Sequence, residues 1–342
     1  MTRAELRIDL QRLRENVRAV RERMAPAEVL VVIKDDAYAQ GVEPIVAAAL
    51  EAGAAWFGGI DLGSAVRAKR EAGERARVFC WMTLSAEEAR VGAAEGLELG
   101  VGDADYLERV AATPETATVH LKIDTGLHRN GVRPEAWPSF CARAAELEQA
   151  GRIRVAGIWT HIAEASDAED DASRAEFDRA VTIAEAAGLT PEVRHLAASA
   201  AAWHRPEFRY DLVRIGAFCY GIRSEDGPEI EGASPVSSLV ASVVSVGDDV
   251  EIGIGSVDGY PSALAGRTHA ATPAGPRALT RVDPFTSRIA AWPGAAVGDE
   301  VVLFGPGTRG EPTPTDLGEA IGTVGEEPLL RVSPLVPRTY TG

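Results

Sequence analysis

The sequence is poor in cysteine and has no long apolar run. Its 342 residues include three cysteines, an odd number without CxxC spacing, and each lies in an apolar stretch: Cys80, Cys141 and Cys219. Small buried thiols are the ordinary form of such residues, so we assign them no chemistry. No apolar run approaches the roughly 20 residues that a membrane-spanning helix needs. The N-terminal stretch MTRAELRIDLQRL has charge in every turn, unlike a secretory signal, so we expect a cytoplasmic protein without a membrane partner.

The sequence also has fewer basic than acidic residues. The chain has 35 Lys and Arg against 51 Asp and Glu, a formal net charge of −16. A field of that sign repels phosphate backbones, so we expect no nucleic-acid partner. One acidic cluster lacks the ligand spacing of a cation site and is interpreted as a solvated loop, with no metal predicted. Its members are Glu164, Asp167, Glu169, Asp170 and Asp171.

From residue 28 to about 221, short β-branched apolar runs alternate with longer amphipathic stretches, which indicates repeated βα units. The predicted strands are 28–33, 55–58, 76–80, 97–101, 118–123, 153–160, 192–197 and 212–215. The predicted helices between them include 42–53, 62–73, 86–94, 134–150 and 172–188. Eight parallel strands with intervening helices favour an N-terminal (β/α)8 TIM-like barrel, whose sites lie at the C-terminal ends of the strands.

After about residue 225 the helical periodicity disappears. Short strands such as 235–246 and 300–304 follow instead, between Gly- and Pro-rich turns. The stretch 261–277, rich in Ala, Gly, Pro and Thr, is predicted to be an exposed loop. We therefore predict an α/β barrel over residues 1–225 and a C-terminal all-β domain over residues 226–342.

Lys34 directly follows the apolar run Val29–Ile33, at the C-terminal end of the first barrel strand. A desolvated amine at that position can form an imine with a carbonyl cofactor. By itself, however, a lysine after a strand is more typical of a solvated loop. The neighbouring residues therefore have to decide between the two interpretations.

The segment VVIKDDAYAQG (31–41) resembles the cofactor-lysine motif of alanine racemases, in which a strand ends in Lys and an Ala-Tyr pair follows. Other segments similar to this family cover essentially the whole chain in the same order. They are AELRIDLQRLRENVRAVR (4–21), HLKIDTGLHRNGV (120–132), GIWTHIAEASD (157–167), HLAASAAAW (195–203), DLVRIGAFCYGI (211–222) and RVSPLVPR (331–338). The resemblance implies a fold-type III enzyme with pyridoxal 5′-phosphate as cofactor, a small amino acid as substrate, and a homodimer with shared active sites.

The resemblance also implies how the cofactor is held. Lys34 corresponds to the Schiff-base lysine, which is one of two acid/base groups. Tyr38, Ser199 and the backbone near Ile215 and Gly216 correspond to the groups that hold the phosphate. Hydroxyl and backbone N–H groups suit such an anion.

Four more matched residues surround the implied cofactor ring. His161 corresponds to a residue that packs against the pyridine ring, and Arg214 to one that faces its nitrogen. An arginine stays charged and does not readily donate a proton, so the cofactor becomes a weaker electron sink. Lys122 and Arg129 match a pair near the phenolic oxygen and the substrate carboxylate. We therefore take both residues as substrate-contact candidates, and Arg129 also as a catalytic candidate.

The second domain departs from the family at its substrate-facing positions. The family's Gly-Tyr-Ala-Asp-Gly-Tyr segment supplies a tyrosine that is the second acid/base in the partner subunit's site. This chain has GSVDGY (255–260), which places Ser256 there as the remaining catalytic candidate. The family's Arg-Val-Ser-Met-Asp-Gln helps to hold the substrate carboxylate, and RVDPFT (281–286) replaces it. We take Phe285 as a substrate-contact candidate.

Three hypotheses about activity stay open. The first is a pyridoxal-phosphate-dependent isomerase, a racemase or epimerase, in which Lys34 works with Ser256, Tyr260 or a water in place of the tyrosine. The second is an enzyme with Lys34 as its only protein base, which catalyses one-faced chemistry such as decarboxylation, retro-aldol cleavage, elimination or stereoretentive exchange. The third is a non-catalytic cofactor-binding protein, although such relatives consist of the barrel alone.

Overall fold

The computed structural model describes residues 3–224 and 229–342. Two compact units alternate along the chain. The barrel unit comprises residues 20–35 and 49–216, and the β unit comprises residues 36–48, 217–342 and those up to Ala19. The domain boundary predicted from the sequence, between residues 225 and 226, lies outside the described residues.

The elements of the described residues are numbered here in chain order. The strands are β1 (Ala4–Asp9), β2 (Glu28–Val32), β3 (Trp56–Gly59), β4 (Arg77–Cys80), β5 (Glu98–Val101), β6 (Ala117–Lys122), β7 (Ile153–Trp159), β8 (Val193–His195), β9 (Leu212–Ile215), β10 (Ser237–Val246), β11 (Asp249–Ile252), β12 (His269–Thr272), β13 (Gly275–Val282), β14 (Ser287–Ala290), β15 (Glu300–Phe304) and β16 (Arg338–Thr341). The helices are α1 (Leu10–Met24), α2 (Lys34–Ala39), α3 (Val42–Glu51), α4 (Leu62–Ala72), α5 (Ala86–Ala94), α6 (Ala104–Ala111), α7 (Trp137–Gln149), α8 (Asp167–Ala186), α9 (Ser199–His204), α10 (Pro314–Ile321) and α11 (Glu326–Leu330). Among these described helices, none combines the length and the apolar character that crossing a membrane requires.

The strands of the barrel unit form the predicted ring. Each strand from β2 to β7 pairs in parallel with the next one along the chain, and β9 pairs in parallel with β2. The circle closes between β8 and β9, where Asp211 N–H donates to Arg194 O and Arg214 N–H to Ala197 O, both at 3.2 Å. The (β/α)8 barrel is therefore confirmed.

The predicted barrel strands lie close to the observed ones because these strands are buried on both faces. Strands β3 and β5 are buried along their whole length. A strand covered on both sides reads as a short continuous apolar run, which is the pattern that the prediction used. The last predicted strand, 212–215, coincides with β9.

The acidic cluster is not the solvated loop that we expected. Asp167, Glu169 and Asp170 form the first turn of α8, whose N-cap Ser166 accepts a hydrogen bond from Glu169 N–H. Carboxylates are stabilised at that end by the helix dipole. Asp170 is buried, and its Oδ1 accepts from Glu164 N–H at 3.1 Å. Over the described residues, no group of His, Cys, Asp and Glu is arranged to hold a metal ion.

The β unit is built on a second ring of strands. Strands β10, β11, β14, β13, β12 and β15 pair in that order, and β15 pairs back with β10. All of these pairings are antiparallel, and the core of the ring includes the buried side chains of Val240, Ala271 and Val302. Strand β10 also pairs with β1, which pairs in parallel with β16.

Two parts of the β unit differ from the sequence prediction. The expected loop 261–277 contains β12 and the beginning of β13, because Ala270 and Ala271 are small enough to be buried inside the ring. Strand β1 lies in the stretch that we assigned to the barrel domain. The alternation of buried Leu6 and Ile8 with more exposed neighbours is the period-two signal that identifies it.

The three cysteines confirm the expectation of buried thiols. Cys80, Cys141 and Cys219 are all buried and free of disulfides. Burial raises the pKa of each thiol to about 12, so all three stay protonated at neutral pH.

The chain turns in the left-handed sense immediately after Lys34. The φ angles of Asp35–Ala39 lie between 53° and 62°, so five consecutive residues other than glycine have left-handed backbone. Such a conformation costs roughly 1–2 kcal/mol per residue. Backbone strain of this kind persists only where the surrounding structure imposes it, and it concentrates at functional sites.

Strand β16 holds the end of this left-handed turn. Arg338 Nε donates to Ala39 O at 3.1 Å, and the Tyr340 hydroxyl donates to Gln40 O at 2.9 Å. Gly41 N–H donates to Asp36 O at 2.9 Å and closes the turn from within. These hydrogen bonds satisfy carbonyls that an ordinary right-handed helix would pair internally.

We predict that Ala39→Gly stabilises the protein. Glycine adopts the φ of 62° found at residue 39 without the Cβ penalty, and this gain exceeds the added entropy of the unfolded chain. The expected rise in the free energy of unfolding is about 0.5–1 kcal/mol, measured by urea denaturation. The matched control is Ala47→Gly in the right-handed helix α3, where the same change lowers stability by about 1 kcal/mol. Equal signs for the two variants would contradict the strain argument.

Candidate active site

Lys34 lies at the C-terminal edge of the barrel, as predicted. It comes two residues after the last residue of β2, and Ile33 N–H donates to Gly58 O at 2.8 Å, which ties this edge to β3. The Lys34 side chain is half-buried. The lysine therefore stands where the sites of (β/α)8 barrels form.

Lys122 and Arg129 place positive charge at the end of β6. Lys122 is the last residue of that strand, and its Nζ lies 4.4 Å from the ring centroid of Trp159. Burial, together with the charges of Arg214 and Arg129, lowers the pKa of Lys122 to about 8. Arg129 is exposed in the following loop and forms no hydrogen bond or ion pair with another described residue. Both cations are thus available to an anionic ligand.

Arg214 is a buried guanidinium whose terminal nitrogens are fully used. Its Nη1 donates to His195 Nδ1 at 3.2 Å and to His195 O at 3.1 Å. Its Nη2 donates to Thr160 O and Leu196 O, both at 2.9 Å, and to His161 Nδ1 at 3.0 Å. The Nε–H group has no acceptor among the described residues, so one donor of this cation remains for a ligand.

His161 shows that the predicted cations of the barrel unit lie together. Burial and nearby positive charges together lower the pKa of this imidazole to about 3. Burial has the largest effect, and the charges belong, in decreasing order of effect, to Arg214, Arg129, Lys122 and Lys34. His161 is therefore neutral at physiological pH. Because its Nδ1 accepts from Arg214, its proton lies on Nε2.

The predicted phosphate contacts of the barrel unit also come together. Ile215 ends the buried strand β9, and the N–H of the next residue, Gly216, donates to Ser199 Oγ at 3.3 Å. A long hydrogen bond of this kind between a hydroxyl and a backbone N–H is readily exchanged for bonds to an anion.

The other predicted site residues belong to the β unit. Tyr38 lies in the left-handed turn with its ring buried, 4.6 Å between centroids from Tyr220. Ser256 is exposed at the beginning of a single 3₁₀ turn over residues 256–258. Phe285 is 63% exposed, and its carbonyl accepts from Arg3 Nη2 at 2.8 Å.

Ser256 and Phe285 lie on two loops that are bonded to each other. Ser256 N–H donates to Asp283 O, and Val257 N–H donates to Pro284 O, both at 3.0 Å. The loops approach so closely that a Cβ on Gly255 would overlap Asp283 O, so only glycine fits there. The rebuilt segments 255–260 and 281–286 therefore form one surface of the β unit.

Sequence reasoning missed the polar residues inside the barrel. His195, His120 and Glu98 are buried and continue the hydrogen bonds of Arg214 away from the C-terminal edge. A period-two signal was available, because His120 lies two residues before Lys122 and so shares its face of β6. Glu98 gave a different signal, an acid at the beginning of a wholly buried strand.

The chain was compared with protein families, curated proteins and solved structures. Residues 8–224 match the family model described as "Alanine racemase, N-terminal domain". The alanine racemase of Thermobifida fusca is 34% identical, over 99% of this chain and 98% of that protein. The alanine racemase of Salinispora arenicola is 36% identical, over 100% of this chain and 99% of that protein.

Solved structures agree with these sequence relatives. The alanine racemase of the D-cycloserine producer Streptomyces lavendulae superimposes with a TM-score of 0.91 at 32% identity, covering 100% of this chain and 98% of that one. The Streptomyces coelicolor enzyme gives a TM-score of 0.91 at 33% identity, covering 99% and 98%. The resemblance read from the motifs is confirmed. This chain belongs to the alanine racemase family, whose enzymes are isomerases that use pyridoxal 5′-phosphate.

Proposed function

We propose that the protein is a pyridoxal-phosphate-dependent racemase or epimerase of a small amino acid, with Lys34 as the lysine that carries the cofactor. The observation that carries the proposal is the gathering of positive charge at this edge. Arg214 lies 3.0 Å from His161 Nδ1, and Lys122 and Arg214 both lie over the ring of Trp159, at 4.4 Å and 5.2 Å from its centroid. Arg129 and Lys34 are near enough to help lower the pKa of His161. Such a set of positive charges needs anions, and the cofactor phosphate, its phenolic oxygen and a substrate carboxylate provide them.

The residues present fit this cofactor. The unused Nε–H of Arg214 suits the unprotonated pyridine nitrogen, which is an acceptor. Ser199 and the Gly216 N–H suit the phosphate, and Tyr38 is proposed to add a hydroxyl. When bound, the cofactor supplies an electron sink for the charge that develops at the substrate Cα.

Arg214 favours proton exchange over more demanding reactions. Burial and the charge of Arg129 lower its pKa to about 9, which still leaves the guanidinium charged at neutral pH. It would therefore donate a hydrogen bond to the ring nitrogen of a bound cofactor without transferring a proton. A ring that remains unprotonated is a weaker electron sink, which suits removal and return of the Cα proton.

A second acid/base group is the part of the mechanism that this chain has changed. Tyr260 is unsuited to the role, because its hydroxyl is buried within the β unit without a hydrogen-bond partner among the described residues. Ser256 is exposed on the adjacent turn. We propose that Ser256 moves the proton on the face opposite Lys34, with a water it binds, since a serine hydroxyl alone is a weak base.

Ser256 is proposed to act in the site of a second copy of the chain. Its turn also exposes Val257 by 59%, and Phe285 on the bonded loop is 63% exposed. Large apolar side chains that are exposed side by side are typical of surfaces that bind another protein. A homodimer with shared sites accounts for this surface and for the position of Ser256.

One-faced chemistry is the second candidate function. The observation that favours it is Ser256 itself, because a serine in place of the usual tyrosine leaves Lys34 as the one remaining member of the family's acid/base pair. Decarboxylation, retro-aldol cleavage, elimination and stereoretentive exchange all need a base or acid on one face only.

The cofactor lysine can be identified because the sequence contains just three lysines, Lys34, Lys69 and Lys122. We expect visible absorption when pyridoxal phosphate is added, and borohydride reduction followed by peptide mapping should place the label on Lys34. The control Lys69→Ala should keep the band, since Lys69 bonds to Gly73 O and Glu74 on the surface, whereas Lys34→Ala should lose it. Labelling of Lys122 instead would refute the assignment.

Racemisation and one-faced chemistry are separated by incubating single enantiomers of small amino acids in D2O. A racemase should incorporate deuterium at Cα and lose optical purity together, because the proton returns on the opposite face. The measurement is mass spectrometry combined with chiral chromatography. Deuterium uptake with complete retention of configuration would rule out racemisation and support the second candidate.

The role of Ser256 is tested by restoring the family's tyrosine. Ser256→Tyr should raise the rate of racemisation by at least about tenfold, because a well-placed general acid/base contributes roughly 10²–10⁴-fold. Val257→Tyr adds the same phenol one residue away and should have little effect. An equal response of the two variants would show that position 256 has no special access to the substrate.

A further inference from the structure

A chain of polar side chains runs through the interior of the barrel, starting from Arg214. Arg214 Nη1 is 3.2 Å from His195 Nδ1, His195 Nε2 is 2.8 Å from His120 Nδ1, and His120 Nε2 is 2.6 Å from Glu98 Oε2. Arg77 closes the chain by donating to Glu98, at 2.9 Å from its Nη2. Glu98 and Arg77 open strands β5 and β4, so the chain crosses from the C-terminal to the N-terminal layer of the barrel.

The two ends fix the direction of every hydrogen bond in this chain. A guanidinium can only donate, so His195 Nδ1 is an acceptor and the proton of that ring lies on Nε2. His195 then donates to His120 Nδ1, which places the second proton on His120 Nε2. That group donates to Glu98, and a carboxylate can only accept. Both imidazoles are therefore neutral and held in one tautomer.

The charge states agree with this direction. Burial lowers the pKa of His195 well below its usual value, and the positive charge of Arg214 acts in the same direction. Burial alone would raise the pKa of Glu98, but hydrogen bonds from His120 and Arg77 outweigh it and lower the pKa to about 2. The chain consequently keeps an anion at one end and the Arg214 cation at the other across the physiological pH range.

The barrel is shaped to admit the histidine pair. Gly157 on β7 faces His120 so closely that a Cβ there would overlap the His120 Nδ1 atom. Trp159 stacks on His195 with 5.7 Å between ring centroids and 6° between planes. Both rings are fully buried, and these contacts restrict their rotation.

From this geometry we infer that Glu98, His120 and His195 are positioning residues for Arg214. They hold its guanidinium so that Nε–H remains the single donor left for the cofactor ring. If His195 carried its proton on Nδ1, this N–H would face the Nη1 donor of Arg214, and the guanidinium would have to rotate to separate the two donors. Glu98 acts on the cofactor through three hydrogen bonds without touching it. This inference rests on the proposed function, because it assigns Arg214 to the ring nitrogen.

The test uses Glu98→Gln, which keeps the shape of the side chain but removes its charge and lets the amide present a donor to His120. The matched control is Glu192→Gln. Glu192 is the other carboxylate on Arg77, at 2.8 Å, and it also pairs with Arg154 at the surface but does not contact His120. The control therefore removes a negative charge beside the same arginine, Arg77, but leaves the hydrogen bonds of Glu98, His120 and His195 unchanged.

The first readout is ¹⁵N NMR of histidine-labelled protein without cofactor, with the six imidazoles assigned by single His→Gln variants. In wild type and Glu192→Gln, His120 and His195 should both show a protonated Nε2 and an unprotonated Nδ1. In Glu98→Gln, the His195 signals should shift or split between tautomers. A charged or Nδ1-protonated His195 in wild type would overturn the inference, and this measurement stands even if Glu98→Gln fails to fold.

The second readout is made on protein loaded with pyridoxal phosphate. We expect Glu98→Gln to change the visible band and to lower kcat about tenfold with little change in KM. Loss of a residue that orients a metal ligand typically lowers activity by about 10–100-fold, and the expected effect lies at the lower end of that range. Glu192→Gln should stay within twofold. If both variants keep the wild-type band and kcat, the positioning role is wrong. If the wild-type protein shows no visible band, the proposed function fails, whereas the tautomer result still decides whether the chain is fixed.

Discussion

The buried guanidinium of Arg214 is the constraint on which the barrel edge depends. A cation removed from water is tolerated only when its donors are satisfied, and here the acceptors come from the ends of neighbouring strands. Thr160 O follows β7, while His195 O and Leu196 O lie at the end of β8. Strand β8 is three residues long and contacts β9 through few backbone hydrogen bonds. Arg214 therefore joins β9 to the ends of β7 and β8, where the barrel has few backbone hydrogen bonds, and one of its N–H groups stays available to a ligand.

The same constraint explains why the barrel interior is polar where branched apolar residues are usual. An arginine that must keep one donor free needs neighbours that accept without competing for the charge, and neutral imidazoles meet that need. A carboxylate in direct contact would neutralise Arg214 and weaken its attraction for an acceptor on a ligand. Glu98 supplies the compensating negative charge on the far side of two imidazoles, so the charges of the interior balance while one donor of Arg214 stays unused. Such a network stabilises the fold only when every member is satisfied.

The sequence alone predicted those parts of the protein that a short stretch of residues identifies by its pattern. Buried parallel strands are short apolar runs, so strands such as β9 could be located without a structure. Lys34 had a suitable position, but its assignment came from motifs similar to a known family. The hairpin of β12 and β13 was missed because alanine and glycine, which look like loop residues, are what a narrow ring accommodates. Glu98 and His120 were missed because their meaning lies in which strands are neighbours in the circle, and spacing along the chain does not reveal that.

The left-handed turn is bonded to residues that lie far along the sequence and are therefore synthesised much later. Its carbonyls at Ala39 and Gln40 are held by Arg338 and Tyr340, which lie 299 and 300 residues further along the chain. During synthesis at about 5–20 residues per second, those partners arrive many seconds after Lys34 has left the ribosome. A nascent chain can thus assemble barrel strands early, but the strained backbone that follows Lys34 is secured only when β16 joins β1. Completion of this turn is therefore a late event in the synthesis of the chain.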